Sequence, residues 1–251
     1  MLQESRDGAT AILTLDYPER RNALAVPMRE KIVATMERLE SDPTLRAIVL
    51  TGSGAHFSAG GDISGMNVTD FAAGRERFRT THKLVKLFIE SSKPIISAVE
   101  GWCVGAGMGL ALCCDTIIAA ADARFMAGFG KIGLVADFGL LHTLPRRIGD
   151  GRARQMLIHG TMIDAYRAEQ IGLIDQITPP GTALQTALTL ATTLATAAPL
   201  PIAMTKSYLA QGLADALEWE RNTQSMMFLT ADHAEGKAAF LGKRAPEFKG
   251  K

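Results

Sequence analysis

The stretch KPIISAVEGWCVGAGMGLALCCDTIIAAADARF, residues 93–125, decides the fold class. It contains two short apolar segments, IISAV at 95–99 and TIIAA at 116–120, each of the length of a buried strand. Between them a glycine-rich turn leads into the helical pattern GAGMGLALCCD. A buried strand, a turn, a helix and a second buried strand indicate an α/β fold.

The same alternation extends toward the N-terminus. Residues 10–15 (TAILTL) and 46–51 (RAIVLT) predict two more short strands. Between them Pro27 opens a segment whose apolar residues recur at helical spacing up to Asp42-Pro43. The N-terminal half therefore repeats the pattern of the opening stretch.

The pattern becomes mainly helical after about residue 137. Asp164 is placed to cap a helix over AYRAEQ and Gly172 to end it, before a short predicted strand, LIDQI. A break at Pro179-Pro180-Gly181 is followed by helical patterns to about Leu241. We therefore predict an α/β core over residues 1–195 and a helical region over 196–251.

Composition limits the classes of partner and compartment. A formal net charge of +1 in 251 residues gives no broad attraction for nucleic acid or an anionic membrane, although residues 243–251 are locally basic. The N-terminus MLQESRDGAT lacks an apolar signal core, and no apolar run approaches the ~20 residues of a membrane span. Cys103, Cys113 and Cys114 are an odd set with two neighbours, which suits a reducing compartment. We expect a cytoplasmic protein.

No residue spacing predicts a metal site. The chain lacks a Cys-x-x-Cys motif, and its five histidines form no His-x-x-x-His pair. Packing or surface roles are the expectation for all five: His56, His82, His142, His159 and His233.

Two glycine-rich turns are the candidate functional segments. HFSAGGDI at 56–63 follows one predicted strand, and GWCVGAGMGL at 101–110 follows another. Turns between a strand and a helix expose backbone N–H groups, so a pair of them can direct two donors at one developing oxyanion. The alternative is that these glycines serve positive φ angles or close packing.

Two other enzyme classes fit these turns poorly. Gly105, Gly107 and Gly109 have Gly-x-Gly-x-Gly spacing, and no acidic residue ends the next strand in the position that a dinucleotide site uses. This disfavours a nicotinamide-dependent dehydrogenase. No Gly-x-Ser-x-Gly nucleophile elbow occurs either.

Six stretches in order cover nearly the whole chain: PERRNAL (18–24), FSAGGDI (57–63), residues 93–125, KIGLVADFG (131–139), LPRRIG (144–149) and FLGKRAPEFKG (240–250). Taken together, they resemble the crotonase (enoyl-CoA hydratase/isomerase) superfamily. The resemblance implies a spiral of strand–strand–helix turns, C-terminal helices that form a homotrimer or hexamer, and a CoA thioester as substrate without a further cofactor.

The resemblance also implies site residues. Gly61, just before the aspartate of the FSAGGD motif, and Ala106, in the middle of the later glycine triplet, would donate the two oxyanion N–H groups. Alanine serves as well as glycine there, because the backbone supplies the donor. The expected CoA contacts are Arg21 and Ala23 at the entrance, Ala59, Asp62 and Ile63 along the adenine and pantetheine path, and Phe240 with Lys243 reaching in from a neighbouring subunit.

The two glutamates of family hydratases are missing. Their positions are occupied here by Gly109 and Phe129. Water addition needs one group to activate the water and another to protonate the α carbon. The absence of both carboxylates disfavours the two-glutamate hydration mechanism.

One carboxylate remains, Asp137, in GLVADFG. This segment resembles the GL-x-PD-x-G segment of the isomerase-like branch, which includes ring-opening isomerases of phenylacetate degradation and dienoyl-CoA isomerases. A single carboxylate can move a double bond, because its protonated form is the acid needed next. An apolar pocket including Phe129 and Val135 would raise the pKa of Asp137 toward neutrality.

Alternatives to this interpretation remain open. Asp137 could instead cap the helix that follows it, and Asp62 and Asp115 are other candidates by residue type. The first interpretation is an enoyl-CoA isomerase using Gly61, Ala106 and Asp137. A hydratase acting through Asp137 and an ordered water, or a non-catalytic acyl-CoA-binding protein, are the alternatives.

Overall fold

The computed structural model describes all residues, 1–251, and contains nine strands in two sheets. The strands are β1 Leu2–Asp7, β2 Thr10–Leu15, β3 Ala47–Gly52, β4 Ile95–Val99, β5 Trp102–Val104, β6 Thr116–Ala120, β7 Arg124–Met126, β8 Ile163–Asp164 and β9 Gln176–Thr178. The large sheet has the order β1-β2-β3-β4-β6-β9 and the small sheet β5-β7-β8. All neighbours are parallel except the pairs β1/β2 and β7/β8.

Ten α-helices connect and cover these sheets. They are α1 Val26–Glu40, α2 Phe71–Ile89, α3 Ala106–Leu112, α4 Leu140–Ile148, α5 Asp150–His159, α6 Ala165–Gln170, α7 Ala183–Ala195, α8 Pro199–Leu209, α9 Leu213–Met227 and α10 Ala231–Leu241. Short 3₁₀ turns occupy Pro18–Arg20, Ile63–Gly65 and Phe129–Ile132.

The strand–strand–helix repeat is present. β4 joins the large sheet, β5 the small sheet, and α3 follows; β6, β7 and α4 repeat this order. In both repeats a small-sheet strand thus precedes the next helix. The segments that follow β5 and β7 meet at one cavity.

The large sheet is covered on both faces. On one face α7 packs through Ala183, Ala187 and Ala191, one turn apart, against Val49 and Ile96. The main core lies on the other face. Burial on both faces explains why the parallel strands read as continuous apolar runs rather than alternating ones.

Most predicted elements are confirmed. Residues 10–15, 95–99 and 116–120 are strands with those bounds, and Asp164 caps α6 by accepting a hydrogen bond from the Arg167 N–H at 2.8 Å. The strand predicted over LIDQI is present but begins later than predicted, at Gln176, and ends at Thr178. Leu173 is apolar because it is buried in the turn that closes α6, where its N–H donates to the Ala168 carbonyl at 2.8 Å.

The C-terminal helices divide into two roles. Helices α9 and α10 pack back on the core, α9 against α2 and α4 and α10 against the Phe129–Ile132 turn. Leu213, Leu217 and Phe228 are therefore buried within the chain. Helix α8 instead carries exposed apolar side chains, including Leu200 and Met204.

No single helix is long and apolar enough to cross a membrane. The sharply bent pair formed by α7 and α8, at 112°, reaches that length and composition only when the two are taken together.

Candidate active site

A cavity of ≈ 130 Å³ brings the three predicted catalytic residues together. Gly61 comes from the turn after β3, Ala106 from the start of α3, and Asp137 from the segment before α4. These segments lie far apart in sequence, and the spiral repeat brings them together.

The two glycine-rich turns pack directly on each other. Gly60 has φ +101°, and a Cβ there would lie 2.8 Å from the Val104 carbonyl oxygen and 3.5 Å from the Ala106 nitrogen. Gly105, with φ +53°, approaches Gly60 from the other side. Both glycines are thus needed for backbone conformation and for close approach.

The amides of Gly61 and Ala106 are free at this contact. Neither N–H donates a hydrogen bond to another atom of the chain, and both residues line the cavity. The structural role of the glycines and the proposed donor role therefore coexist. Two free amides on one cavity can stabilise one developing oxyanion.

Asp137 is buried, with 7% of its surface exposed, and its two carboxyl oxygens differ. Oδ2 lies 3.4 Å from Gln224 Nε2, whereas Oδ1 is buried without any hydrogen-bond partner. The capping interpretation is wrong, because Gly139 is the N-cap of α4 and no side chain caps that helix. The side chain lines the cavity instead.

The surroundings of Asp137 bring its pKa close to neutral. Burial raises the pKa to about 7, and the Glu220 carboxyl adds to this effect. The positive charge of Arg29 and the hydrogen bond from Gln224 oppose it. A carboxyl with this pKa can both accept and return a proton near pH 7.

Helix α9 holds the Asp137 segment at both ends, which the sequence did not predict. Gln224 Oε1 accepts from the Val135 N–H at 3.1 Å, and its Nε2 donates to the Val135 carbonyl at 2.8 Å. One turn earlier, Glu220 Oε2 accepts from the Gly139 N–H at 2.9 Å, and its Oε1 lies 2.8 Å from His82 Nε2. Glu220 and Gln224 are four residues apart on one helix, and such a polar pair does not by itself predict that it holds another segment. The role becomes visible only because the structure shows that this side of the helix is buried.

The Glu220–His82 contact joins a buried carboxyl to a neutral imidazole. Burial raises the pKa of Glu220 and lowers the pKa of His82 to about 4, so the imidazole is uncharged at pH 7. The contact is therefore a buried hydrogen bond rather than an ion pair.

Arg29 is the other cavity residue that sequence reasoning missed. Arg29 is 4% exposed, and its guanidinium donates from Nε to the Leu24 carbonyl at 2.8 Å and from Nη1 to Thr81 Oγ1 at 2.9 Å. The guanidinium carbon lies 4.9 Å from the centre of the Phe138 ring. Burial lowers the pKa of Arg29 to about 10, so the group is charged at neutral pH.

The first hydratase glutamate position is closed. A Cβ on Gly109 would lie 2.6 Å from Phe138 Cβ, and Phe138 is fully buried with φ +57°. A glutamate cannot replace Gly109 without moving the segment that carries Asp137. At the second glutamate position, Phe129 lines the cavity.

Part of the predicted CoA path lies on the cavity. Ala59, Ile63 and Phe240 line it together with Phe129. Phe240, 58% exposed, reaches the cavity of its own chain, although we expected it from a neighbouring subunit. The fold-back of α10 against the Phe129–Ile132 turn explains this position.

The remaining predicted contacts do not line this cavity. Arg21 lies over the Trp102 ring at 4.5 Å, and Asp62 Oδ1 accepts from the Ser64 N–H at 3.0 Å. Val135 is held through its backbone and does not line the acyl cavity, which corrects its predicted role. Two further predicted residues lie outside the lining: Ala23 and Lys243.

Asp115, the other candidate carboxylate, is structural. Its Oδ2 accepts from Lys206 Nζ and from the Ile95 N–H, tying α8 to the start of β4. It lies outside the cavity that holds Asp137.

Comparisons with known proteins agree with this geometry. The enoyl-CoA hydratase/isomerase family model matches residues 5–251. The chain is 36% identical to the 1,2-epoxyphenylacetyl-CoA isomerase of Escherichia coli (95% of this chain, 94% of that protein) and 35% identical to the 2,3-dehydroadipyl-CoA hydratase of the same organism (98% of each). A crystal structure of an enoyl-CoA hydratase from Mycobacterium avium subsp. paratuberculosis superposes with TM-score 0.90 at 27% identity, covering 99% of this chain and 98% of that one.

The spiral fold and the cavity between the two glycine-rich turns define an enzyme of the crotonase type. The chain belongs to the enoyl-CoA hydratase/isomerase family of the crotonase superfamily.

Proposed function

We propose that this enzyme isomerises an enoyl-CoA, with Asp137 as its single acid and base. One observation carries the proposal. Asp137, whose buried Oδ1 has no hydrogen-bond partner, lines the same cavity as Gly61 and Ala106 with their free amides. A buried polar atom without a partner costs free energy, so its retention at this position favours a functional role.

The proposed reaction moves one proton. The thioester carbonyl accepts hydrogen bonds from Gly61 and Ala106, which stabilise the charge that develops when Asp137 removes a proton from the acyl chain. The resulting dienolate takes the proton back from Asp137 at another carbon, and the double bond shifts. The reaction needs no metal or redox cofactor, because the proton and electron pairs stay within substrate and carboxyl. Each oxyanion donor contributes about 3–4 kcal/mol in comparable sites.

Hydration through Asp137 and an ordered water is the second candidate. It is favoured by the 35% identity to a relative named as a hydratase. The closed position at Gly109 and the apolar side chain of Phe129 argue against it, since they leave Asp137 to serve both the water and the α carbon. A non-catalytic acyl-CoA-binding role gives no reason for burying an unpaired carboxyl.

The test is a panel of enoyl-CoA substrates in deuterated water. We expect wild-type enzyme to exchange a substrate C–H proton and move the double bond without accumulating 3-hydroxyacyl-CoA. Asp137→Asn should abolish both signals while acyl-CoA binding changes only a few-fold, because size is kept and basicity is lost. Asp115→Asn is the matched control outside the cavity and should keep exchange. Ready water addition by wild type would contradict the isomerase proposal in favour of hydration. Unchanged exchange in Asp137→Asn would refute the single-carboxylate mechanism.

We also propose that the enzyme assembles as a homotrimer, alone or paired into a hexamer. Helix α8 supports this, because it exposes large apolar side chains that a monomer would leave in water: Leu200, Met204, Tyr208 and Leu209. Sedimentation at micromolar concentration should give a trimer or a hexamer, and a monomer would contradict the proposal. The cytoplasmic location stays a prediction from the three free cysteines.

A further inference from the structure

The buried guanidinium of Arg29 has one nitrogen that no protein group uses. Nε and Nη1 are fixed by the Leu24 carbonyl and Thr81 Oγ1. Nη2 donates no hydrogen bond within the chain and lies 3.6 Å from the position that a Cβ on Gly61 would take. The two fixed nitrogens therefore hold Nη2 beside the turn that carries one of the proposed oxyanion donors.

The positive charge of Arg29 is also not neutralised by a salt bridge. The carboxyls of Asp137 and Asp62 favour its charged form through space, but Arg29 forms no salt bridge with either. Asp137 is partly protonated near pH 7, which removes part of that compensation. Buried cations are normally paired, since an unpaired charge in the protein interior destabilises the fold. A bound ligand with an oxygen acceptor would complete the site.

We propose that Arg29 makes the enzyme selective for acyl groups that carry a second oxygen function, a carboxylate above all. This rests on the proposed acyl-CoA function of the cavity. The cavity, at ≈ 130 Å³, is smaller than the roughly 300–1,000 Å³ of typical ligand sites, so it admits a short acyl group. Nη2 donates to the acyl oxygen, and the planar guanidinium stays in place over Phe138.

Binding of saturated, unreactive thioesters tests this without turnover. Glutaryl-, 5-hydroxypentanoyl- and pentanoyl-CoA differ only at the far end of the acyl chain and are compared by calorimetry, together with shorter and longer homologues. We expect wild type to bind the carboxylate form at least ~10-fold more tightly than the methyl form, with the hydroxyl form between them. Equal binding of the three thioesters would overturn only the proposed selectivity of Arg29 and would leave the acyl-CoA site in place. Failure of all three to bind would overturn the acyl-CoA site as well.

Two arginine variants separate selectivity from general charge. Arg29→Met should bring the three affinities to within about two-fold of one another. Arg77→Met removes a nearby cation that does not line the cavity, and the preference should persist. Preference retained in Arg29→Met, or lost equally in both variants, would refute the proposal. Circular dichroism checks the fold, and if Arg29→Met does not fold, the wild-type affinities decide the outcome.

Discussion

Gln224 Nε2 lies 3.4 Å from Asp137 Oδ2, and the same amide group bonds both the N–H and the carbonyl of Val135. Gln224 is fully buried and belongs to α9, which is more than eighty residues away in sequence. It thus fixes the segment that carries Asp137 and leaves the other carboxyl oxygen, Oδ1, free. In the proposed mechanism, Gln224 is a residue that positions Asp137.

Gln224→Met should lower kcat by roughly 10–100-fold with little change in KM, because the carboxyl loses its orientation and not the binding site. The apparent pKa of Asp137 should also rise, since a hydrogen bond to the carboxylate is lost. Steady-state kinetics across pH measures both effects. Gln211→Met, at an exposed glutamine, is the control. An unchanged kcat and pH profile would show that Gln224 does not position Asp137.

The pH dependence of kcat/KM should report Asp137. The group must be ionised to accept the first proton, so kcat/KM should fall as the pH drops through about 7. Glu220→Gln should move this transition to lower pH, because the Glu220 carboxyl raises the pKa of Asp137. A transition near pH 4 in wild type would contradict the buried environment of Asp137.

Asp137→Asn should stabilise the folded protein while it removes activity. The folded-state pKa of about 7 lies above the ordinary value of 3.8, so between these pH values the folded protein holds a proton that the unfolded chain has released. The contribution of this bound proton to the free energy of unfolding is complete below about pH 4 and is lost as the pH rises through about 7. The gain in unfolding free energy should be about 2–3 kcal/mol larger at pH 8 than at pH 5. Urea denaturation at both pH values measures it, and a gain independent of pH would argue against a buried, titrating Asp137.

Ala106 permits a substitution that removes its N–H, with a further loss of activity expected from local distortion. It is the first residue of α3, the position where proline fits a helix best. Ala106→Pro should reduce kcat at least ~10²-fold, whereas Ala106→Gly, which keeps the N–H, should retain most activity. Kinetics on both variants, with the fold checked by circular dichroism, compares them. Similar activity in the two folded variants would remove Ala106 from the oxyanion site.

Gly109 should tolerate no side chain. Gly109→Ala places a Cβ against Phe138 Cβ and should cost roughly 1–3 kcal/mol of unfolding free energy. Gly151→Ala in α5, where no atom lies within 4 Å of the new Cβ, should be neutral or slightly stabilising. Chemical denaturation of the two variants gives the comparison. Equal stability would mean that the hydratase glutamate position is open after all.

Local signals in the sequence were sufficient for four strands of the large sheet (β2, β3, β4 and β6), for the glycine-rich turns and for the resemblance to the family. Short apolar runs, such as IISAV, fold as strands wherever both faces are buried, so their bounds depend little on distant residues. The strand predicted at LIDQI was placed too early because Leu173 and Ile174 are buried in a turn before the strand, and apolar composition cannot distinguish burial in a turn from burial in a strand.

Contiguous motifs in the sequence were enough to identify the proposed oxyanion donors Gly61 and Ala106 and the carboxylate of Asp137. The surroundings of that carboxylate depend on the tertiary structure. Arg29, Glu220 and Gln224 come from helices that carry no motif, and they act on Asp137 because the spiral repeat and the fold-back of α9 place them beside it. A pKa depends on burial and on nearby charges, and a cavity depends on the segments that surround it. Both are set by distances in the folded chain, which local sequence does not contain.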